Sequence, residues 1–336
     1  GRGSPPTTNL ERRAELPTKM TRYALGRLAQ AIPLLVLVTV IAFGILHLAP
    51  GDPAVLLYGA DLSAEQLSQI RAAWGLDESL PVQYVKWLEN LARGDLGRSF
   101  VDGRPALEVV LERIPATLEL TITGLAVAII VGLSVGSLAA LRPHSAAGYL
   151  ATVAATVLYS LPAFWLGLLL ILVFSVALGW LPSAGIESLR GSAGPFDRLL
   201  HLLMPAFVIS LREMGRLIRF TRASLLDVLG QDYVRTAWAK GLTLSRVTWD
   251  HALRNALIPI ITLLGLSVPQ VLSSSIVVET VFAWPGMGRL LVESAYQRNY
   301  TVLMGEIVLV SVLVILGNLL ADVAYAVADP RVRYGE

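Results

Sequence analysis

Apolar residues along the chain gather into six long runs that are separated by polar segments. Each run is long enough to cross a bilayer, because a helix rises 1.5 Å per residue and a hydrocarbon core of roughly 30 Å needs about 20 apolar residues. The pattern therefore predicts an all-α membrane protein with six transmembrane helices. The runs are Leu28–Leu48, Leu118–Leu141, Tyr149–Trp180, Leu199–Ile218, Leu257–Val278 and Val302–Ala324.

The third run is longer than one span and carries Pro162 near its middle. Because proline removes a helical hydrogen bond, this run is either one kinked helix or two segments. Two spans here would reverse the orientation of every later loop. With six spans, most of the 27 Lys and Arg residues fall in segments on one side of the membrane. Such an excess in short loops marks the cytoplasmic side, so we expect both termini in the cytoplasm.

The composition agrees with a membrane protein. Hydrophobic residues make up 54% of the chain and charged residues 15%, and the mean hydropathy is +0.63. Soluble domains carry about 25% charged residues. The formal net charge of +2 is too small to indicate nucleic-acid binding. There is no cysteine, which excludes disulfides, iron–sulfur clusters and thiol nucleophiles.

The polar segments divide the chain into five parts. Residues 1–21 are polar and irregular, and we expect a disordered tail or an engineered remnant, with Met20 as a candidate native start. The other parts are a first transmembrane helix at 22–48, an external helical subdomain at 49–116, a core transmembrane domain at 117–328 with a cytoplasmic loop at 223–256, and a cytoplasmic tail at 329–336.

The external loop is too long for a simple connection. Ser63 and Gln66 predict a capping box for a helix that ends before Gly75. Pro81 suits the first turn of a second helix, and a third is expected over Arg104–Arg113. The resulting subdomain is either a lid that packs on the spans or a surface that faces the solute or a receptor.

A second long loop, Arg212–Arg254, is predicted on the cytoplasmic side. Its first part has arginines at three- and four-residue spacing, and we expect it to extend the fourth span beyond the bilayer toward anionic lipid. The next part, Gln231–Gly241, predicts a short helix that ends at Gly241. A short helix between two spans suits docking on a soluble partner, and a helix lying on lipid is the alternative.

Few residues indicate catalysis or metal binding. No Gly-x-x-x-x-Gly-Lys-Ser/Thr phosphate loop occurs, so any ATP would be hydrolysed by another chain. Four carboxylates lie inside the runs but near their ends, which favours snorkelling or pairing at a subunit interface over a functional site. The histidines lack metal-ligand spacing, so no metal or catalytic site is expected. The carboxylates are Glu119, Glu279, Glu306 and Asp322, and the histidines are His47, His144, His201 and His251.

The most polar patch within a span lies in the outer half of the fifth run. Gln270 is followed one turn later by Ser273, Ser274 and Ser275. Small hydroxyl groups can line a pore, or they can form hydrogen bonds to neighbouring helices. Both interpretations are open at this point.

A series of short motifs resembles the integral-membrane permeases of ABC peptide/nickel importers, specifically the subunit with a long external loop after its first span. The motifs run from about Arg22 to Gly335, and their number and order are specific to that family although no single motif is. They are Leu48-Ala-Pro-Gly-Asp-Pro53, Gly75-Leu-Asp, Leu80-Pro-Val-Gln-Tyr84, Gly94-Asp-Leu-Gly97, Pro162-Ala-Phe-Trp-Leu-Gly-Leu168, Gly179-Trp-Leu-Pro-Ser-Ala-Gly185, Arg222-Ala-Ser-Leu-Leu226, Asp232-Tyr-Val-Arg-Thr-Ala237, His251-Ala-Leu-Arg-Asn255, Val278-Glu-Thr-Val-Phe282, Trp284-Pro-Gly286 and Asp329-Pro-Arg-Val-Arg-Tyr334.

The resemblance implies a type I ABC importer permease fold, in which a MetI-like core of five spans follows an N-terminal span. It also implies that the loop at 223–256 carries a coupling helix that inserts into an ATP-hydrolysing subunit. Other importers have Glu-Ala-Ala where this chain has Arg-Thr-Ala, a departure that the peptide/nickel branch shares. The family uses the fifth span along its pathway, which favours pore lining by Gln270 and Ser273–Ser275. The implied coupling residues are Asp232, Tyr233, Arg235, Thr236, Ala237, Lys240 and Gly241.

The implied machine contains a second homologous permease, two ABC ATPase subunits that hold ATP and Mg, and an extracytoplasmic solute-binding protein. It would lie in the cytoplasmic membrane of a bacterium or archaeon, where this chain contacts lipid and the solute and binds no cofactor itself. A peptide is the expected solute, with nickel chelates, glutathione-like molecules and oligosaccharides as alternatives. The rival function is a self-sufficient secondary transporter or channel, which predicts internal repeats and charges at mid-depth.

Overall fold

The computed structural model describes residues 9–48, 51–52, 54–55, 63–188, 194–243 and 246–328. Within these ranges the chain is helical, and its one β-type pairing there is a bridge between Arg98 and Pro105. A π-helical segment, Ile171–Ala177, continues α7, and another, Val247–Leu253, precedes α10. The α-helices are α1 Asn9–Leu48, α2 Ala64–Ala73, α3 Leu80–Ala92, α4 Ala106–Leu111, α5 Ile114–Leu141, α6 Ala146–Ser160, α7 Ala163–Leu170, α8 Pro195–Leu229, α9 Asp232–Ala239, α10 Arg254–Val281, α11 Met287–Tyr296 and α12 Tyr300–Ala328.

The N-terminal tail differs from the expectation of an irregular segment over 1–21. Helix α1 already begins at Asn9, so the first transmembrane helix continues a polar helix instead of a coil. The charged stretch before the span contains Glu, Arg, Ala and Leu, all of which favour helix. The expected C-terminal tail at 329–336 and the first eight residues lie outside the described ranges.

Three of the described helical segments are long and apolar enough to cross a membrane: Ala29–Leu48, Ala106–Leu141 and Tyr300–Leu319. A fourth arises if α6 and the π-extended α7 form one span, but these two helices are bent by 102° at the break before Pro162. The third apolar run is therefore two segments, and the structure confirms the breaking effect of the proline. The fourth and fifth runs lie in α8 and α10, and six spans are not confirmed by length and apolarity.

Helices α5 and α8 pack closely because α5 presents glycines to α8. A Cβ built on these glycines would lie 2.1–2.7 Å from α8 side chains, closer than real Cβ atoms approach their neighbours. Small residues at such contacts let membrane helices approach backbone to backbone. The offset in residue number is the same at every contact, so the two helices run parallel. The contacts pair Gly124 with Ile209, Gly132 with Leu217 and Gly136 with Thr221.

Helix α8 is the centre of the bundle, with α6 and α10 on its other sides. A Cβ on Gly215 of α8 would lie 2.5 Å from the carbonyl oxygen of Ala155 in α6. The Ser224 hydroxyl donates a hydrogen bond to the carbonyl oxygen of Ala256, at the start of α10. Farther along, Ser267 of α10 lies against Glu213 of α8. Helices α8 and α10 are therefore antiparallel.

This register bears on the expectation that Arg212 and the arginines after it extend beyond the bilayer. Helix α8 continues without a break through them, and its contacts with α5 place Arg212 at the level of Val127 and Arg219 at the level of Ser134. Val127 is near the middle of the apolar run of α5, and Ser134 is seven residues before the end of that run at Leu141. The expectation rests on a run counted from the sequence alone, without the neighbouring helix against which α8 packs, and it stays a prediction.

The external subdomain forms around α2, α3 and α4. The predicted capping box is confirmed, since the Gln66 amide N–H donates to the Ser63 hydroxyl and the Ser63 N–H donates to the Gln66 side chain. The third helix is shorter than expected and covers only Ala106–Leu111. Buried Leu96 and Val110 join a cluster with Leu290 of α11 and Val302 of α12. The subdomain is thus fixed to the adjacent ends of these helices.

We expect Gly132→Ala to weaken the fold, because the new Cβ would lie 2.5 Å from the Leu217 Cβ and the two helices would have to separate. Overpacking of this kind costs about 1–3 kcal/mol. The free energy of unfolding is measured by titration with sodium dodecyl sulfate in mixed micelles. The matched control is Gly44→Ala in α1, where nothing lies within 4 Å; equal stability of the two variants would contradict the packing described here.

Candidate functional site

The short helix expected in the cytoplasmic loop is present as α9, Asp232–Ala239. It begins directly after α8, which ends at Gly230, so only Gly230 and Gln231 join the two helices. It ends at Ala239, and Gly241 stops it from continuing, since its φ of +77° belongs to the left-handed region that glycine adopts without strain. No heavy atom lies within 4 Å of a Cβ built on this glycine, so the position is open.

Helix α9 has one face packed on the protein and one free face. Val234 and Ala237 are buried, and they form a cluster with Val247 and with Val228 and Leu229 at the end of α8. A displacement of α9 must therefore act on α8. The free face carries the other six expected coupling residues, which are all exposed: Asp232, Tyr233, Arg235, Thr236, Lys240 and Gly241.

Two further contacts of α9 were not expected from the sequence. The Asn255 side-chain amide donates a 2.8 Å hydrogen bond to the Tyr233 hydroxyl, which ties α9 to the first turn of α10. Trp238 is 42% exposed on the free face. A tryptophan next to basic residues in a short polar helix is a signal for a contact surface, and attention to side-chain size as well as to charge would have found it.

The polar patch of α10 divides between an exposed stripe and a buried site. Gln270 and Ser273 are exposed, and Ser274 is partly buried and donates to the Gln270 carbonyl oxygen. Ser275 is 2% exposed, and its side chain hydrogen-bonds to the Glu279 carboxyl group. Val277 and Thr280 continue the exposed stripe at helical spacing. Of the four predicted pore residues, Gln270 and Ser273 therefore share an open face.

Glu279 is the centre of a buried hydrogen-bond network, here called the polar lock, that joins the adjacent ends of α5, α10 and α11. Its other members are the Thr117 hydroxyl and the backbone N–H groups of Met287 and Arg289. The Thr117 hydroxyl donates a 2.8 Å hydrogen bond to one Glu279 oxygen, and it accepts one from the Met287 backbone N–H. The other oxygen accepts from the Arg289 N–H. Since Met287 begins α11, the carboxylate caps this helix from α10, where the helix dipole favours negative charge.

The loop between α10 and α11 is shaped around this carboxylate. A Cβ on Gly286 would lie 2.4 Å from the Glu279 carboxyl group, so only glycine fits there. The indole N–H of fully buried Trp284 donates to the Ala116 carbonyl oxygen on α5. The Trp-Pro-Gly motif thus positions α11 against α5.

The expectation of snorkelling carboxylates is wrong for Glu279 and Glu306. Both are fully buried inside the described fold, because α11 and the external subdomain cover the outer ends of α10 and α12. Glu119 instead pairs with Arg198 of α8 at 2.5 Å, within this chain and not across a subunit interface. The side chain of Asp322 lies outside the described residues.

One charged cluster was missed by the sequence analysis. Glu213 is 3% exposed and accepts hydrogen bonds from Arg216 and from Ser267 of α10. The guanidinium groups of Arg212 and Arg219 lie 5.3 and 4.8 Å from the ring centre of Tyr159 on α6. The signal in the sequence is the three- and four-residue spacing of the arginines, which was interpreted as a face on lipid. Among the described residues, no group of three or more His, Asp or Glu side chains could hold a metal ion.

We expect Thr117→Val to loosen the polar lock, because Glu279 and the Met287 N–H would both lose a buried partner. Leaving buried polar groups unpaired costs about 1–3 kcal/mol each. The free energy of unfolding and the protease sensitivity of the loop at 282–286 report the change. Thr280→Val is the matched control, since this exposed threonine bonds only within its own helix; a loss as large in the control would contradict a specific role for the lock.

Comparisons with known proteins agree with these features. Residues 132–334 match the family described as binding-protein-dependent transport system inner membrane component, and residues 20–121 match the N-terminal family of such membrane components. The oligopeptide transport system permease protein AppB of Bacillus subtilis is 44% identical over 316 residues, which is 94% of this chain and 100% of that protein. The glutathione transport system permease protein GsiC of Escherichia coli K12 is 42% identical over 315 residues, with 94% and 100% covered.

A solved structure shares the fold. The inward-facing MetNI methionine ABC transporter aligns with a TM-score of 0.54 at 18% identity, covering 66% of this chain and 96% of that one. The permease resemblance of the sequence motifs is thereby confirmed, together with a helical fold like that of an ABC importer permease. The chain belongs to the family of inner-membrane permease components of binding-protein-dependent transport systems.

Proposed function

We propose that this chain forms half of the translocation pore of an ATP-driven importer for di- or oligopeptides or a similar small solute. The observation that carries the proposal is the geometry of α9. Its buried face is fixed to the end of α8, and its exposed face presents Tyr233, Arg235 and Trp238 without a partner among the described residues of other helices, apart from the Asn255 bond. Such a helix suits docking into a groove of a soluble subunit.

The coupling follows from these contacts. ATP binding brings the two ATPase subunits together. Helix α9 is docked in one of these subunits and moves with that subunit. Because Val234 packs on the end of α8 and Tyr233 bonds to the start of α10, both helices move with α9. The pore then opens to the outside and accepts solute from a solute-binding protein. Two states with a mechanical link are the requirement for alternating access.

The remaining subunits supply what this chain does not. A second homologous permease completes the pore, two ABC ATPases hold ATP and Mg, and an extracytoplasmic binding protein delivers the solute. The relatives in Bacillus subtilis and Escherichia coli are named for oligopeptides and glutathione, which supports a peptide-type solute. The chain lies in the cytoplasmic membrane with both termini inside.

The exposed stripe on α10 is the proposed pore lining. Gln270 and Ser273 point away from the described bundle and lie in the outer half of the helix. Ser275 is engaged by Glu279, so its contribution is to the lock and not to the pore surface. The partly buried Ser274 hydroxyl donates to the backbone carbonyl oxygen of Gln270 in its own helix, so it contributes neither to the exposed stripe nor to the Glu279 site.

A cavity of about 920 Å³ in the external subdomain bears on the receptor-facing interpretation of that loop. It is lined by residues of α1, α3 and the start of α12, among them His47, Trp87 and Tyr300. Its position beside the outer ends of the spans suits contact with the delivering protein more than a lid that only packs on the bundle.

We expect Gly241→Val to uncouple ATP hydrolysis from uptake. The left-handed φ of +77° strains any branched side chain by about 1–3 kcal/mol, which displaces the end of α9 from its groove. Uptake per ATP hydrolysed should fall about tenfold, which corresponds to roughly 1.4 kcal/mol. The measurement is peptide uptake and ATP hydrolysis by the complete importer in proteoliposomes.

The matched control is Gly94→Val in the external subdomain, which has a φ of +81° and the same open surroundings. It carries the same backbone strain far from α9, so its uptake per ATP should stay near that of the unchanged protein. Normal coupling in Gly241→Val would remove the role assigned to α9. Uptake driven by an ion gradient without ATPase subunits would favour the rival secondary transporter.

A further inference from the structure

Four arginines follow one another along one face of α8: Arg212, Arg216, Arg219 and Arg222, here called the arginine row. Their spacing of four, three and three residues places them on one stripe of the helix. The stripe faces α6 through Tyr159 and α10 through Ser267. Between His201 and Arg212, α8 carries no charged residue.

The arginine row runs from the middle of the bundle toward its predicted cytoplasmic end. Its register with α5 places Arg212 at the level of Val127, near the middle of an apolar run, and Arg219 at the level of Ser134, seven residues before the end of that run at Leu141. An independent contact agrees, because Arg216 donates to Ser267, which lies at the middle of the fifth apolar run in α10. Two neighbouring helices thus place Arg212 and Arg216 at mid-depth.

Only one arginine of the row is neutralised within the described residues. Glu213 pairs with Arg216 at 2.6 Å. No described carboxylate lies within ion-pair distance of Arg212, Arg219 or Arg222, and Arg212 and Arg219 instead lie over the Tyr159 ring. The Nε atoms of Arg219 and Arg222 are buried without a hydrogen-bond partner among the described atoms.

Positive charges at this depth cannot face hydrocarbon. Ionisable residues inside membranes turn toward the bundle interior or a water-filled cavity, and there they mark ion and substrate pathways. Arg212 is exposed on the surface of this chain, so its surroundings in the membrane must be aqueous or a charged partner. Headgroup phosphates are about 15 Å from the middle of a core roughly 30 Å thick, so they cannot serve Arg212 there.

We propose that the arginine row lines the inner half of the translocation path and binds the carboxylate of the solute as it passes. This inference rests on the proposed function, because it assigns a peptide-type solute to the same pore. A guanidinium group binds a carboxylate in a planar, two-hydrogen-bond geometry. The free Nε atoms of Arg219 and Arg222 are donors that such a ligand satisfies.

The order of charges along α8 suits a solute that binds and is then released, instead of one that stays tightly bound. Glu213 removes the net charge of Arg216, so the row does not present four adjacent cations to one anion. Transport sites must bind strongly enough to admit a solute and weakly enough to release it, and several weak sites in series meet both needs. The solute carboxylate would move from Arg212 to Arg219 and Arg222, toward the cytoplasm.

The first test uses the absence of cysteine from the chain. Single variants Arg212→Cys and Arg219→Cys are placed in the complete importer in lipid nanodiscs and treated with a charged, membrane-impermeant methanethiosulfonate. The control is Ile130→Cys, which is at the same depth on the exposed apolar side of α5. Modification of this chain is read by mass.

We expect both arginine positions to react at least about tenfold faster than Ile130→Cys, because water reaches only the path. A mixture of alanine di-, tri- and tetrapeptides with the loaded binding protein should slow the reaction at position 219. Rates equal to that of the Ile130 control would overturn the inference, since the row would then face lipid or be sealed by a partner subunit. If the cysteines react fast but the peptides do not slow the reaction, the proposed contact between the arginine row and the solute is wrong.

The second test is uptake of the same peptides by Arg219→Gln and Arg219→Lys importers, with Arg142→Gln at the cytoplasmic turn as the control. Loss of the charge-assisted contact should lower uptake per ATP about tenfold in the glutamine variant, and lysine should restore most of it because the charge is kept. Equal losses in both variants would mean a packing role and would overturn the inference.

The two proposals fail differently. If the unchanged importer takes up no peptide with ATP, the proposed function fails whatever the arginine variants do. If the unchanged importer transports peptides and Arg219→Gln transports them equally well, only the carboxylate site is wrong. Loss of the second permease from the purified Arg219→Gln complex would show that the row neutralises a partner carboxylate instead.

Discussion

The close packing of α5 on α8 is the constraint on which the rest of the structure depends. In lipid there is no hydrophobic force between helices, so their association relies on contact area and on polar bonds. The glycines of α5 supply that contact over three turns, from Gly124 to Gly136. Because α8 is thereby held along its length, it connects α9 rigidly to the rest of the bundle.

Two buried polar sites also hold the helices together, at two different levels along the bundle. At the outer end, Glu279 caps α11 and holds it to α5 through Thr117, so the external subdomain rests on a fixed base. At mid-depth, Glu213 joins α8 to α10 through Ser267. Buried charges are expensive, and both carboxylates are stable here because each has several donors. These polar atoms thus connect α5, α8, α10 and α11 to one another.

Much of the fold could be predicted from the sequence, because it depends on local patterns. The apolar runs predicted the long helices, Pro162 predicted the break between α6 and α7, and Gly241 predicted where α9 stops. The family followed from ordered motifs such as Asp232–Ala237. These features need no knowledge of which helix lies beside which.

What could not be predicted depends on neighbours in space. The depth of Arg212 and Arg219 is set by the register with α5, and the burial of Glu279 by a loop that folds back over it from α11. Counting apolar residues placed the arginines at the membrane edge, whereas the register sets Arg212 level with the middle of the α5 run. It also placed Glu279 within reach of water, whereas the fold buries this side chain. Both differences come from treating each span alone, although long-range packing decides what a charged side chain contacts.

The central claim is that α9 docks on an ATP-hydrolysing subunit, and chemical crosslinking tests it most directly. A cysteine at exposed position 240, the only one in this chain, is treated in native membranes with a short thiol-to-amine crosslinker, and the product is identified by mass. The account predicts a product with an ATP-binding subunit whose yield changes when ATP is added. Attachment to lipid or to no protein, while that subunit is present in the same membranes, would contradict it.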